Sequence, residues 1–306
     1  MNMLPSSAHA SLEEKMDAAL MSKKSRFHQK TLQYIGMVIF GLIAFMYLTP
    51  LLWLFDVSFR PRIEIFQVPP KILQAAPWVT FRSYSFDSFK LAFQKYQVGQ
   101  GFLNSVFVTA CGVVVTLLVC SLAAYAFAFL KFKGREIIFL CILSTMMLPM
   151  DTLLAPMYRV LRTLGLFNKH LGLILLYGAS AFGVFLIRQF YVRLPISLIE
   201  AAVMDGASKL RIWWQIILPL SKPALSALAI YQFRLIWNDF LIPMIVLRNR
   251  ALHTLPIKLQ TMDSITIAKD YDAIMATGFL AVFVPIVFFL IYQRQFMEGL
   301  SGSVKG

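Results

Sequence analysis

Long blocks without charged side chains constrain this chain more than any other feature of its sequence. Residues 31–55, 96–130 and 273–293 contain no Asp, Glu, Lys or Arg. Because about 20 apolar helical residues cross a bilayer core, each block is long enough to form a transmembrane helix. Soluble domains are about a quarter charged, whereas this chain is 14% charged. The sequence therefore predicts an integral membrane protein.

Three further stretches are weaker candidates for transmembrane helices, because they are shorter or carry one or two charges. They are residues 137–158, which contain Asp151, residues 170–187, and residues 223–247, which contain Arg234 and Asp239. Together with the three clear blocks they predict an all-α integral membrane fold with six transmembrane helices. The predicted membrane domain covers residues 31–293.

The two ends of the chain are polar and are predicted to lie outside the membrane. Residues 1–30 end in a basic cluster before the first span, which favours a cytoplasmic N-terminus. With that orientation the cytoplasmic segments carry 14 Lys and Arg and the external segments carry 13. The positive-inside count therefore hardly discriminates. With a cytoplasmic N-terminus, residues 294–306 are predicted to form a cytoplasmic tail and about residues 57–101 an external loop.

The polar segment at residues 195–223 is too polar to cross a membrane, yet it has a helical pattern. Apolar residues recur at helical spacing up to Asp205 and Gly206, where glycine permits a sharp change of direction. A second helical run contains Trp213 and Trp214 and is predicted to stop at Pro219. The pattern alone fits either an interfacial amphipathic helix without a partner or a docking element.

The same segment contains seven residues at defined spacing, and they resemble the EAA motif of permease subunits of binding-protein-dependent ABC importers. The motif EAA-x3-G-x9-I-x-LP is matched by Glu200, Ala201, Ala202, Gly206, Ile216, Leu218 and Pro219. Several other segments are similar to carbohydrate-uptake permeases such as the smaller maltose-importer permease. They include PLLWLFDVSFRP at 50–61, FLIRQFYVRLP at 185–195, WNDFLIP at 237–243 and the C-terminal GLSGSVKG.

The resemblance implies a type I ABC importer permease, whose six helices form half of a translocation pathway. It implies that the EAA loop is cytoplasmic and supplies a coupling helix that docks on a separate ATPase. The implied coupling residues are the seven motif residues together with Asp205. The implied partners are a second, different permease chain, an ATPase dimer and an extracellular or periplasmic solute-binding protein. The implied location is a bacterial cytoplasmic membrane.

The sequence contains no pattern that predicts catalysis or cofactor binding. No Gly is followed by Lys, so a GxxxxGK[ST] phosphate loop is absent, and GxSxG and HExxH are absent too. The three cysteines and four histidines lack metal-ligand spacing. We therefore expect a transport subunit with no metal, no cofactor and no nucleic-acid partner, and we expect ATP and Mg²⁺ to bind the partner ATPase.

Charged and polar residues in the fifth span are candidates for contact with the solute. Arg234 and Asn238 share one helix face, Asp239 is adjacent, and Trp237 could stack on a sugar ring. The resembling family usually has an uncharged residue where Arg234 stands. Arg234 could form an ion pair with a carboxylate of a neighbouring helix, or it could contact an anionic solute such as an acidic saccharide.

Two other functions stay open on the sequence. ABC importer permeases for amino acids or phosphate esters share the EAA loop, although the WNDFLIP segment and the C-terminal tail favour a sugar. A self-sufficient secondary transporter would often show two related halves with broken helices. This chain has one EAA loop and no evident internal repeat.

Overall fold

A computed structural model describes residues 33–60, 84–264 and 269–301, and within these ranges every regular element is a helix. The predicted N-terminal tail, most of the predicted external loop and the last five residues lie outside the described ranges. The side chains of Asp151 and of residues 294–301 are also outside the description.

The helices are numbered here along the chain. They are α1 (Gln33–Ser58), α2 (Asp87–Tyr96), α3 (Val98–Phe129), α4 (Arg135–Ser144), α5 (Met150–Thr163), α6 (His170–Gly178), α7 (Ala181–Tyr191), α8 (Ser197–Met204), α9 (Lys209–Leu220), α10 (Lys222–Asn238), α11 (Leu241–Val246), α12 (Leu255–Asp263) and α13 (Tyr271–Ser301). Short 3₁₀ turns lie at Thr145–Met147 and Arg250–Leu252.

Three of the described helices are long and apolar enough to cross a membrane: α1, α3 and the first part of α13, Tyr271–Gln293. Three bent pairs pass the same test together, and the bends measure 115° in α4–α5, 41° in α6–α7 and 78° in α9–α10. The described residues therefore hold up to six spans if each pair counts as one. The number agrees with the six spans predicted from the sequence, but the α9–α10 pair includes Lys209–Leu220, which the sequence assigned to the polar segment at residues 195–223.

The chain divides into two compact units, residues 1–56 and residues 57–306. In the first unit, α1 exposes large apolar side chains along its length, such as Phe40, Met46 and Tyr47. Exposed apolar side chains on a helix of this length suit an environment of lipid or of other apolar protein surface.

Helix α3 is the centre of the second unit and packs against α6, α7 and α10. Its buried face consists mainly of small residues, which allow helix backbones to approach closely in a membrane protein. A Cβ atom added at Gly112 would come within 2.7 Å of the Ile236 side chain. The small residues of the buried face are Gly101, Ser105, Thr109, Gly112, Thr116, Cys120, Ser121 and Ala124.

The bend between α6 and α7 is held by side chains of the neighbouring helices. The carbonyl of Tyr177 accepts hydrogen bonds from the Thr116 hydroxyl at 2.8 Å and from the Gln232 amide at 3.4 Å. The Ser180 carbonyl accepts from the Cys120 thiol at 3.4 Å. Since backbone groups freed by a break need partners inside a membrane, these donors stabilise the bend. The predicted span at 170–187 is therefore a bent pair that continues to Tyr191.

Candidate functional site: the EAA loop and a cavity beside the α6–α7 bend

Helix α8 ends at the glycine of the EAA motif, as the pattern predicted. Gly206 has φ +73°, a conformation that glycine adopts readily. Its amide donates to the Val203 carbonyl and the Ala207 amide donates to the Ala202 carbonyl, both at 3.0 Å. These two hydrogen bonds form a Schellman turn, which satisfies carbonyls at the end of a helix. The turn fixes the direction in which the chain leaves α8.

Helix α9 starts three residues later, at Lys209, and ends at Leu220. The Ser208 hydroxyl accepts a hydrogen bond from the Arg211 amide at 3.4 Å and caps its first turn. The segment Trp213–Ile217 is a π-helical turn, and the helix continues through Pro219 to Leu220. The helix thus ends one residue beyond Pro219, where the sequence pattern predicted its stop.

The motif residues divide into an exposed group and a buried group. Ala202 is only 6% exposed and packs into a core with Ile212 and Ile217, so the expectation that it contacts a partner directly is not supported. Ile216 and Leu218 are half-buried against the same core, whereas Pro219 is exposed. The exposed motif residues are Glu200, Ala201, Gly206 and Pro219. Glu200 and Ala201, together with the exposed residues Val203, Met204 and Asp205 that follow them, are named here the docking face.

Val203 and Met204 are members of the docking face that the motif did not identify. The Met204 side chain is 87% exposed. Two apolar side chains exposed beside two carboxylates on one short helix suit contact with another protein better than contact with water. The sequence signal that could have found them is the presence of apolar residues at non-motif positions of a polar segment.

A cavity of about 680 Å³ lies beside the α6–α7 bend. Its walls come from the junction of α4 and α5, the ends of α6 and α7 that meet at the bend, the last turns of α10 and the start of α11. Apolar side chains such as Met146, Met157 and Leu176 form much of the lining. The polar residues in the lining are Thr145, Tyr177, Ser180, Gln232, Arg234, Asn238 and Asp239.

Three of the four predicted pathway residues, Arg234, Asn238 and Asp239, line this cavity. The Asp239 carboxylate accepts a hydrogen bond from the Tyr177 hydroxyl at 2.7 Å and one from the Ile242 amide at 3.3 Å. The Asn238 amide donates to the Arg234 carbonyl at 2.8 Å, one turn back along α10. The cavity therefore has an ordered polar wall at the end of α10.

Trp237, the fourth candidate, lies outside the cavity. Its ring is 2% exposed. The indole N–H donates to the Ala281 carbonyl at 2.9 Å, and the ring stacks on Phe233 with centroids 5.9 Å apart. The expectation that Trp237 stacks on a solute therefore does not fit the structure, since its ring packs between α10, α13 and Phe102 of α3.

Sequence reasoning missed Tyr177 and Gln232, which lie on the cavity wall. Gln232 is one of the few polar residues in α10, and that isolation in an apolar helix was the available signal. Tyr177 gave no comparable signal, because tyrosine is common in membrane helices for reasons of depth and packing.

Comparison with known proteins agrees with this architecture. The family model for the inner membrane component of binding-protein-dependent transport systems matches residues 117–301. The chain is 33% identical to the osmoprotective compounds uptake permease protein GgtD of Synechocystis sp., over 93% of this chain and 95% of that protein. It is 34% identical to the arabinooligosaccharides transport system permease protein AraQ of Bacillus subtilis, over 87% and 94%.

The fold is similar to that of a solved structure. A chain from a bacterial ABC transporter involved in the import of the acidic polysaccharide alginate superposes with a TM-score of 0.75. The match covers 87% of this chain and 96% of that chain at 22% identity. The family match and the relatives show that this chain belongs to the inner membrane components of binding-protein-dependent transport systems, which are transport subunits.

Proposed function

We propose that this chain is the permease subunit of an ATP-driven sugar or oligosaccharide importer, and that it forms half of the translocation pathway. The observation that carries the proposal is the docking face, a short helix with exposed apolar and acidic side chains whose end is fixed by the turn at Gly206. The similarity to the arabinooligosaccharides transport permease AraQ supports a sugar as the cargo.

The connection between the docking face and the cavity suggests how force would pass between them. α8 leads through the Gly206 turn into α9, and Ser221 alone separates α9 from α10. Ser221 is fully buried and its hydroxyl donates to the Ile217 carbonyl at 2.8 Å. Since α10 ends at the polar wall of the cavity, a rigid-body shift of α8 would be transmitted to Arg234 and Asp239.

The proposal includes partners that this chain needs. A separate ATPase dimer would bind ATP and Mg²⁺, and Glu200 would form a charge-assisted hydrogen bond with a basic group on its surface. A second permease chain would complete the pathway, and a solute-binding protein would deliver the cargo from outside. Because the docking face must meet the ATPase, we place it and the N-terminus on the cytoplasmic side of the bacterial inner membrane.

Reconstitution with the partner subunits tests this function. We expect a wild-type complex in liposomes to take up sugar only with ATP and a loaded binding protein. Met204→Asp should insert normally, because its side chain is exposed, but should lose the ATPase subunit on purification and lose uptake. Phe132→Asp is the matched control, since it places a carboxylate at an exposed apolar residue of another loop.

Two results would contradict the proposal. Uptake by the chain alone, without ATP or partners, would show a self-sufficient transporter. Full retention of the ATPase subunit and of uptake by Met204→Asp would show that the docking face is not the contact with the motor.

A further inference from the structure

Arg234 lines the cavity, and no described carboxylate forms an ion pair with it. None of the ion pairs found among the described side chains includes it. Its side chain is exposed and lies on the cavity lining. A guanidinium inside a membrane domain is costly unless it is paired or faces a water-filled pathway. Of the two sequence interpretations, the intrachain ion pair therefore finds no support among the described residues.

Asp239 follows Arg234 by five residues in the sequence and also lines the cavity. Its carboxylate already accepts hydrogen bonds from other groups. It accepts from the Tyr177 hydroxyl and from the Ile242 amide at the first turns of α11. These contacts leave Arg234 as the positively charged member of the cavity lining. Among its described side chains the lining thus offers one cation, Arg234, and one carboxylate, Asp239, which already accepts two hydrogen bonds.

Gln232 provides a second, independent indication of a ligand. Its side chain is 4% exposed and lines the cavity. Its amide nitrogen donates to the Tyr177 carbonyl, but its carbonyl oxygen, Oε1, is buried and has no hydrogen-bond donor in the described part of the chain. Because a buried acceptor without a donor is destabilising, Oε1 is a site where a ligand hydroxyl would gain a hydrogen bond.

We infer that the cavity binds a saccharide that carries a carboxylate, such as a uronate unit, during translocation. The inference rests on the proposed function and names the substrate class for it. Arg234 binds the carboxylate through two parallel N–H donors, and Gln232 Oε1 accepts from a sugar hydroxyl. The volume of about 680 Å³ lies within the range of small-molecule sites.

Arg234 is the one cation among the described lining residues, and this favours a carboxylate over a phosphate ester as the bound group. A phosphate monoester carries a charge of about −1.5 to −2 near neutral pH, and the Asp239 carboxylate in the same wall would repel it. A carboxylate carries one negative charge and its planar geometry matches one guanidinium. One guanidinium therefore neutralises one carboxylate, whereas a phosphate monoester would keep excess negative charge beside Asp239.

Equilibrium binding to the complete complex in nanodiscs tests the inference with three probes: digalacturonate, its dimethyl ester and glucose 1-phosphate. The ester keeps the sugar rings and removes both charges. We expect digalacturonate to bind at least about tenfold more tightly than the ester, as one charge-assisted hydrogen-bonded pair can provide. We expect Arg234→Gln to remove that difference and Arg234→Lys to restore part of it.

Arg159→Gln is the matched control variant. Arg159 is an exposed arginine on α5 that lies outside the cavity lining. The same loss of charge there should leave the preference for digalacturonate unchanged. An equal loss in both variants would show that net charge, rather than the cavity, attracts the anion, and it would overturn the inference.

Each other outcome is also decisive. Equal binding of digalacturonate and the ester by wild type, or no binding of digalacturonate, overturns the inference. Tighter binding of glucose 1-phosphate that depends on Arg234 assigns the site to phosphate esters instead. If the Arg234→Gln complex loses the second permease chain and wild type shows no preference for an anion, the inference is overturned and Arg234 is assigned to an ion pair between subunits. Uptake by the wild-type complex under ATP tests the proposed function separately.

Discussion

Replacing Gly206 by alanine isolates the contribution of the turn that ends α8. Gly206 has φ +73°, and no atom lies within 4 Å of the position that a Cβ would occupy. The substitution therefore adds backbone strain without a steric clash. An L-residue in the left-handed region costs roughly 1–2 kcal/mol, which changes the ratio of formed to unformed turn by about 5- to 30-fold.

Gly165 provides a matched control for the same strain elsewhere in the chain. It has φ +66°, its added Cβ would also meet no atom within 4 Å, and it lies in the turn after α5. Gly165→Ala and Gly206→Ala should therefore lower the melting temperature of the purified complex by similar amounts. Only Gly206→Ala should weaken binding of the ATPase subunit, by up to the factor given above.

Titration of the ATPase subunit against nanodiscs that contain each variant measures this difference. Gly206→Asn should bind more tightly than Gly206→Ala, since asparagine tolerates the left-handed region. Gly206→Pro should abolish uptake while the protein still inserts, because proline requires a negative φ and removes the amide that donates to Val203. Equal ATPase binding by Gly206→Ala and Gly165→Ala would refute a coupling role for the turn.

Three further predictions concern the rest of the fold. Tyr177→Phe should lower stability by about 1.5–3 kcal/mol, because it removes the hydroxyl that donates to the Asp239 carboxylate; thermal denaturation measures this. Gly172→Ala should destabilise by about 1–3 kcal/mol, since its Cβ would lie 2.5 Å from the Leu166 carbonyl oxygen. Burial lowers the pKa of His253, so the folded protein favours the neutral ring, and the melting temperature should fall as pH drops below about 6.5.

Each of these predictions has a control. Tyr34→Phe, at an exposed tyrosine of α1, should leave stability unchanged, and so should Gly41→Ala, where an added Cβ meets no atom within 4 Å. His253→Gln should flatten the decline in melting temperature between pH 7 and 5 relative to wild type, values that bracket the ordinary histidine pKa of about 6.5. A wild-type curve that rises toward low pH would contradict the sign of the shift.

The local features of the fold were predictable because they depend on neighbours in sequence. Charge-free blocks gave the spans, and a glycine after a helical pattern gave the turn at Gly206. The bend at Ala179 and Ser180 was not predictable, since both of its helices are apolar and no proline separates them. What holds the bend is a set of donors from α3 and α10, which only the folded structure brings together.

The cavity likewise combines features that the sequence predicts with features that only the folded structure shows. Helical spacing placed Arg234 and Asn238 on one face, and both line the cavity. Helical spacing could not show that Trp237 differs from its polar neighbours. Its ring lies in the contact between α10 and α13 and not in the cavity. Whether Asp239 serves Arg234 depended on where Asp239 finds its donors, and those come from Tyr177 and α11.

The bend between α6 and α7 also bears on how the protein is made. α6 has 9 residues and α7 has 11, so at 1.5 Å per residue neither reaches across a core of about 30 Å. As one span, the pair enters the bilayer with both halves together. Thr116 precedes them in the chain and is synthesised first, whereas Gln232 follows them. A nascent chain that stops before α10 would hold this bend with donors from α3 alone, and its final geometry is set only after α10 has been inserted.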